Sequence, residues 1–274
     1  MTRQQKIWKG FGVIFFAVRP LLLYLFLPGF LMTIGMLLRG YRNTVNEFFA
    51  ESGNFYTFLS IILILFFFYR KSKKAGKNFG EDATFILENA DWKYAEICFV
   101  FGCMMGFFLS AFITVVWLPD WMIDSYSKSS GAIFEGTDFI LTALSVGFFA
   151  PITEETIFRG YMLNRLMPDF TEKTAILLSA GIFALCHANF LWMIYAFCMG
   201  IFLAWLAIKK DNILYSVCVH IGFNLPSIVV GILKMFPAAY AIFFANPFLI
   251  ALYGMLGGTA GILLYRQIKK DESI

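Results

Sequence analysis

The chain is a succession of apolar segments, each close to the 20 or so residues that a helix needs to cross a bilayer. About eight such segments can be read, at residues 13–38, 55–70, 95–118, 139–163, 173–189, 190–208, 213–232 and 237–265. Within lipid, backbone hydrogen bonds must be satisfied inside a helix or a closed barrel, and segments of this length fit helices. We therefore predict an all-α, multi-pass membrane protein whose residues 1–274 form a single membrane domain.

Composition supports this class. Hydrophobic residues make up 59% of the chain, charged residues 15%, and the mean hydropathy is +0.72, which is far from a soluble domain. The net charge of +4 is modest, and the Lys and Arg residues crowd into a few loops, which favours membrane topology over nucleic-acid binding. Lipids are therefore the expected surroundings, and nucleic acid is not expected as a partner. The five cysteines lie in apolar stretches without a CxxC pair, and we interpret them as packing residues.

The basic residues predict the orientation. Most of the 22 Lys and Arg residues fall in alternate connections, at 3–9, 70–93, 159–173, 209–210 and 266–270. Cytoplasmic loops carry such an excess, so eight spans would place both termini in the cytoplasm. We expect an integral protein of the plasma membrane if the organism is a prokaryote. The first span is expected to remain uncleaved.

Ionisable side chains within the spans indicate the functional site, because each costs roughly 2.5 to 3.5 kcal/mol in hydrocarbon unless it faces a partner or a wet cavity. Glu154, Glu155 and Arg159 follow Pro151, where we expect a helix break. Glu155 and Arg159 have the i, i+4 spacing of an ion pair, while Glu154 points about 100° away.

Both histidines of the chain, His187 and His220, also lie within spans, and Asn224 follows His220 by one turn. Counting about 1.5 Å per residue from the helix ends places these groups near mid-membrane with Glu154. We expect them to meet in a cavity largely open to the cytosol. A carboxylate with an imidazole can take a proton from water, and a second imidazole with an amide can stabilise an oxyanion.

Three motifs resemble one family. EExxxR at Glu154–Arg159, FxxxH at Phe183–His187 and HxxxN at His220–Asn224 are similar in kind and order to the motifs of the CPBP family of CAAX proteases and bacteriocin-processing enzymes, also called Abi. The resemblance covers about 139–231, which would be the catalytic core. It implies a metal-independent glutamic endopeptidase without a cofactor, acting on a membrane-associated peptide or protein with or without a lipid tail.

By position, the resemblance gives roles to six residues. Glu154 would be the base, assisted by His187, while His220 and Asn224 would form the oxyanion hole; Glu155 and Arg159 would support the site. Two alternatives stay open, namely a zinc metalloprotease that uses Glu and two His, and a non-catalytic scaffold or immunity protein on the same fold. A cysteine protease using Cys186 or Cys218 and an ion transporter are weaker alternatives, because the helical angles and the lack of inverted repeats disfavour them.

Overall fold

The computed structural model describes residues 3–38, 45–134, 139–187, 189–233 and 236–272. Within these ranges the chain forms helices and no strands, which confirms the all-α prediction. The helices are α1 (Arg3–Leu38), α2 (Val45–Lys74), α3 (Phe79–Asp82), α4 (Trp92–Val115), α5 (Asp120–Phe134), α6 (Phe139–Leu166), α7 (Glu172–Leu185), α8 (Phe190–Lys210), α9 (Leu214–Leu233), α10 (Pro237–Phe244) and α11 (Pro247–Asp271).

Seven helices in the described part of the chain are long and apolar enough to cross a membrane: α1, α2, α4, α6, α8, α9 and α11. The predicted count of eight differs at α7, because this helix has 14 residues and rises only about 21 Å, less than the roughly 30 Å of a hydrocarbon core. The predicted span 237–265 is divided into α10 and α11, and Asn246 caps the second of these by accepting a hydrogen bond from Phe248 N.

Large apolar side chains cover the outside of the bundle, including Phe26, Ile140 and Phe248. In water such a surface would be an aggregation or docking liability, whereas lipid tails cover it at no cost. The protein is therefore an integral, multi-pass membrane protein.

One end of the bundle collects the charged connections, and we call it the basic end. Four ion pairs of the described residues join helix ends there: Lys9 with Asp169, Lys77 with Asp82, Lys209 with Glu272, and Lys210 with Asp271. The loop after α3 contacts the loop before α9, where Asn212 exchanges hydrogen bonds with the backbone of Ile86. The sequence groups these loops as cytoplasmic, and the contacts bring them together at one end.

Asp82 fastens α2, α3 and α6 at the basic end. Its carboxylate accepts hydrogen bonds from Ser72 Oγ at 2.8 Å and from Tyr161 OH at 2.9 Å, and it pairs with Lys77. Burial acts to raise the pKa of Asp82, but these three partners outweigh it, so the pKa lies below its ordinary value. Because the ionised carboxylate is preferred in the folded state, this contact stabilises the fold at neutral pH.

Two glycines allow α4 and α9 to cross closely. A Cβ on Gly102 would overlap the carbonyl oxygen of Val219, and a Cβ on Gly222 would overlap that of Phe99. Small residues are what permits this approach between membrane helices. The crossing fixes α9, and therefore the height at which His220 lies in the bundle.

Candidate active site

The helix α6 changes its winding around the two glutamates. A single α-helical segment, Ala150–Glu155, lies between two π-helical segments, Ser145–Phe149 and Thr156–Leu163. Such wide turns are rare and are found mostly at functional sites. The helix therefore continues through the region where the sequence predicts a break.

Pro151 has a precise consequence for the site. In the first π segment the N–H of Ala150 bonds to the carbonyl of Ser145, five residues earlier. The next bond of this series would join residue 151 to Val146, but proline has no N–H to donate. The carbonyl of Val146 instead accepts a hydrogen bond from Asn224 Nδ2 at 2.9 Å. Proline on α6 thus orients the carboxamide on α9.

Glu155 forms a buried charge network. Its Oε1 accepts hydrogen bonds from Arg159 Nη1 at 2.7 Å and from His220 Nδ1 at 2.8 Å, and Arg159 Nη2 donates to the carbonyl of Gly200 at 3.1 Å. The Glu155 and Arg159 side chains are fully buried. The i, i+4 pair expected from the sequence is present, and it also holds the imidazole of His220.

Glu154 has a different environment from its neighbour. Its side chain is 15% exposed, whereas that of Glu155 is 0% exposed, so Glu154 is the carboxylate that water can reach. Oε2 lies 3.6 Å from His220 Nε2, and Oε1 accepts a hydrogen bond from Tyr24 OH at 2.6 Å. Sequence reasoning missed Tyr24, which lies 130 residues before Glu154; its only signal is a polar hydroxyl within the first apolar segment.

The tautomer of His187 follows from its partner. His187 Nδ1 lies 2.9 Å from the carbonyl oxygen of Phe183. A carbonyl oxygen can only accept, so Nδ1 carries the proton and Nε2 keeps its lone pair in the neutral ring. The ring of Phe183 also packs against both imidazoles, with centroids 4.9 Å from His187 and 5.8 Å from His220.

A cavity of about 460 Å³ brings the predicted residues together, since Glu154, His187, His220 and Asn224 all line it. Hydroxyl groups and aromatic rings form much of the remaining wall: Tyr24, Thr57, Ser110, Tyr126, Ser130, Ser145, Trp192, Tyr195, Phe223 and Ser227. Glu155 and Arg159 lie behind the wall. The four side chains thus share one space, and their chemical roles stay a prediction.

The cavity lies on the other side of Glu154 from the basic end. Its lining residues on α6 are Glu154 and residues nearer the start of the helix; those on α9 are His220 and residues nearer the end of the helix. The start of α6 and the end of α9 both lie away from the basic end, where the loop before α9 contacts the loop after α3. The sequence predicts that the basic end is cytoplasmic, so the predicted orientation and the expected cytosol-accessible cavity do not agree with each other. The apolar runs do not show which half of each helix is filled by its neighbours.

The rival sites find less support in the geometry. Among the described residues, no group of three or more His, Cys, Asp or Glu side chains is arranged to hold a metal ion. Cys186 Sγ donates to the carbonyl of Ile182 at 3.1 Å, and neither Cys186 nor Cys218 lines the cavity.

Comparison with known proteins gives the class. Residues 136–226, which include all four lining residues named above, match the family described as "Type II CAAX prenyl endopeptidase Rce1-like". UPF0177 protein YxdF of Lactococcus lactis subsp. lactis (strain IL1403) is 27% identical over 141 residues, which cover 49% of this chain and 77% of that protein. No solved structure matches the chain significantly.

A helical membrane bundle with this match defines a membrane-embedded protease of the CAAX type, which acts on a peptide or protein. Through residues 136–226 the chain is similar to the CAAX protease family.

Proposed function

We propose that the protein is a glutamic intramembrane endopeptidase with its catalytic core in residues 139–231. The observation that carries this proposal is the shared cavity of Glu154, His187, His220 and Asn224, backed by the buried network of Glu155. Glu154 is partly accessible and Glu155 is fully buried, which gives the two glutamates separate tasks, the first chemical and the second positional.

Water activation is the first step. Tyr24 holds Oε1 of Glu154, so the carboxylate has a fixed orientation and can take a proton from a water molecule in the cavity. His187 Nε2 accepts the second hydrogen bond of that water, since its Nδ1 proton is engaged by Phe183. The water oxygen then forms a bond to the carbonyl carbon of the substrate.

His220 and Asn224 stabilise the negative charge that develops on the former carbonyl oxygen. Nδ1 of His220 donates to Glu155, which turns Nε2 toward Glu154 and the cavity; with a proton on Nε2 the ring donates to the oxyanion. Asn224 donates with the N–H that Val146 leaves free. Each such donor typically lowers the activation barrier by about 2.7 to 4 kcal/mol.

Collapse of the tetrahedral intermediate completes the reaction. The C–N bond breaks, the proton held by Glu154 passes to the leaving amine, and the carboxylate is restored. We propose that cleavage needs no metal, because Glu154 and His187 activate the water while His220 and Asn224 stabilise the oxyanion. The substrate is a membrane-associated peptide or protein, with or without a lipid tail.

Glu154→Gln tests the proposal, with Glu88→Gln on an exposed loop as the matched control. Membrane peptides from cells that carry each variant are compared by mass spectrometry, and purified protein is then assayed on the peptides that differ. The amide keeps an acceptor for Tyr24 but cannot take a proton, so we expect a loss of about 10²- to 10⁴-fold with normal accumulation. Glu88→Gln should match wild type.

Three results would contradict the proposal. Normal cleavage by Glu154→Gln would remove the base. A biological effect of the wild-type chain that persists in Glu154→Gln without cleavage would favour the scaffold or immunity alternative. Loss of activity with 1,10-phenanthroline, restored by zinc, would favour the metalloprotease.

A further inference from the structure

We infer that the cavity takes its substrate from the extracytoplasmic side of the membrane, and that the segment it binds is an uncharged stretch of an exported or outer-leaflet peptide. The identity of the occupant as a substrate rests on the proposed function. The side of access rests on the position of the cavity and on the charge of the connections at the two ends of the bundle.

The lining residues of three other helices also lie toward the end of the bundle that is opposite the basic end. On α2 and α8, whose last residues lie at the basic end, no lining residue lies beyond about the middle of the helix: Thr57 and Ile61 on α2, then Trp192, Tyr195 and Met199 on α8. On α4, which starts near the basic end, the lining residue is Ser110 in the second half. Five helices therefore agree that the cavity extends from Glu154 away from the basic end.

Packed side chains close the other direction. Beneath the glutamates, the Arg159 guanidinium lies 4.7 Å from the ring centre of Phe183, whose ring packs against Phe158 at 5.0 Å. Ser179 Oγ donates to the carbonyl of Phe158, and all four side chains are buried. A peptide arriving from the basic end would have to displace this layer.

Helix α5 forms the wall at the opposite end. It contributes Tyr126, Ser130 and Gly131 to the cavity, and Asn189 at the start of α8 donates to Ser125 Oγ at 2.8 Å. Trp121 on this helix is 59% exposed. Tryptophan is enriched where membrane meets water, so α5 lies at an interface.

Charge assigns the two ends to the two sides of the membrane. Lys and Arg are concentrated in cytoplasmic loops of membrane proteins, and the connections at the basic end carry most of those in this chain. The α5 end is therefore extracytoplasmic, and the cavity extends toward that face.

The lining chemistry describes the occupant. Apart from Glu154 and the two imidazoles, no ionisable acid or base other than tyrosine is among the described residues of the wall. A charged substrate side chain would lose its hydration without gaining a partner, which is costly. Hydroxyls such as those of Ser130 and Ser227 can bond to a peptide backbone, and 460 Å³ suits a short extended segment better than a folded domain.

Cysteine labelling tests the side of access in the full chain, with its five native cysteines replaced by alanine. Ser130→Cys and Ser227→Cys report on the cavity, and Glu88→Cys on the exposed loop reports on the basic end. Each variant is treated with a membrane-impermeant maleimide in intact cells and in inverted vesicles. Folding of each variant is checked by its thermal transition, and Glu154→Gln is added so that labelling does not depend on turnover.

We expect the two cavity cysteines to react at least about tenfold faster in intact cells and Glu88→Cys only in inverted vesicles, with the same pattern in Glu154→Gln. A candidate peptide fused to an exported carrier should be cleaved, and the same peptide kept in the cytosol should not. Cavity cysteines that react only from the side of Glu88→Cys, or not at all, would overturn the inference, as would cleavage of the cytosolic peptide. Outside labelling without cleavage of any peptide would refute the protease and leave the side of access standing.

Discussion

Tyr24→Phe separates the contribution of α1 from that of the matched region 136–226. The change removes only the hydroxyl that donates to Glu154 Oε1 at 2.6 Å and keeps the ring in place. None of the three motifs includes a residue of α1, so an effect would arise from the tertiary contact between Tyr24 and Glu154. We expect Glu154 to lose its fixed orientation while the substrate still binds.

The size of the effect follows from the type of bond. A hydrogen bond to a charged group contributes about 1.5 to 3 kcal/mol, and about 1.4 kcal/mol corresponds to a factor of ten in rate. The cavity is open to water, which can replace the hydroxyl in part, so the lower half of this range applies. We therefore predict a fall in kcat of roughly 10- to 30-fold, with KM changed by less than about threefold.

The assay is steady-state cleavage by purified protein, with Tyr253→Phe as the matched control. Tyr253 also donates its hydroxyl to an oxygen, the carbonyl of Phe243 at 3.3 Å, but it lies on α11 and does not line the cavity. Its kcat should stay within about twofold of wild type. The reasoning is refuted if Tyr24→Phe keeps its kcat, or if both variants lose activity equally.

Two further predictions concern the scaffold. Gly222→Leu should lower both the thermal transition and cleavage, because its side chain would separate α9 from α4, whereas Gly258→Leu, with no atom near its Cβ position, should change neither; equal effects would argue against the close crossing. Asp82→Asn should lower the free energy of unfolding at pH 7 by up to about 1 kcal/mol, as is typical of a partly exposed ion pair, and the thermal transition should fall with it. Because the pKa of Asp82 is lowered in the folded state, its stabilisation is complete above the ordinary carboxyl pKa and is lost as the pH falls through the folded value, so the gap between variant and wild type should close in acid. A gap that widened in acid would contradict this sign.

Local patterns in the sequence predict much of this protein. Runs of apolar residues set the helices, because an isolated backbone in lipid must satisfy its own hydrogen bonds. The pair of Glu155 and Arg159 is also local, since four residues form about one helical turn. The three motifs predicted the side chains at the cavity, although not that His220 would lie between two carboxylates.

Tertiary contacts decided the rest. Hydropathy did not show that α7 stops after 14 residues, because it measures composition and not where a helix ends. The link from Tyr24 to Glu154 joins residues 130 positions apart, and no periodicity relates them. The direction of the cavity depends on which half of each helix is packed against its neighbours, and this is a property of the whole bundle. The sequence therefore predicted which residues line the cavity, and only the fold determined toward which end of the bundle the cavity extends.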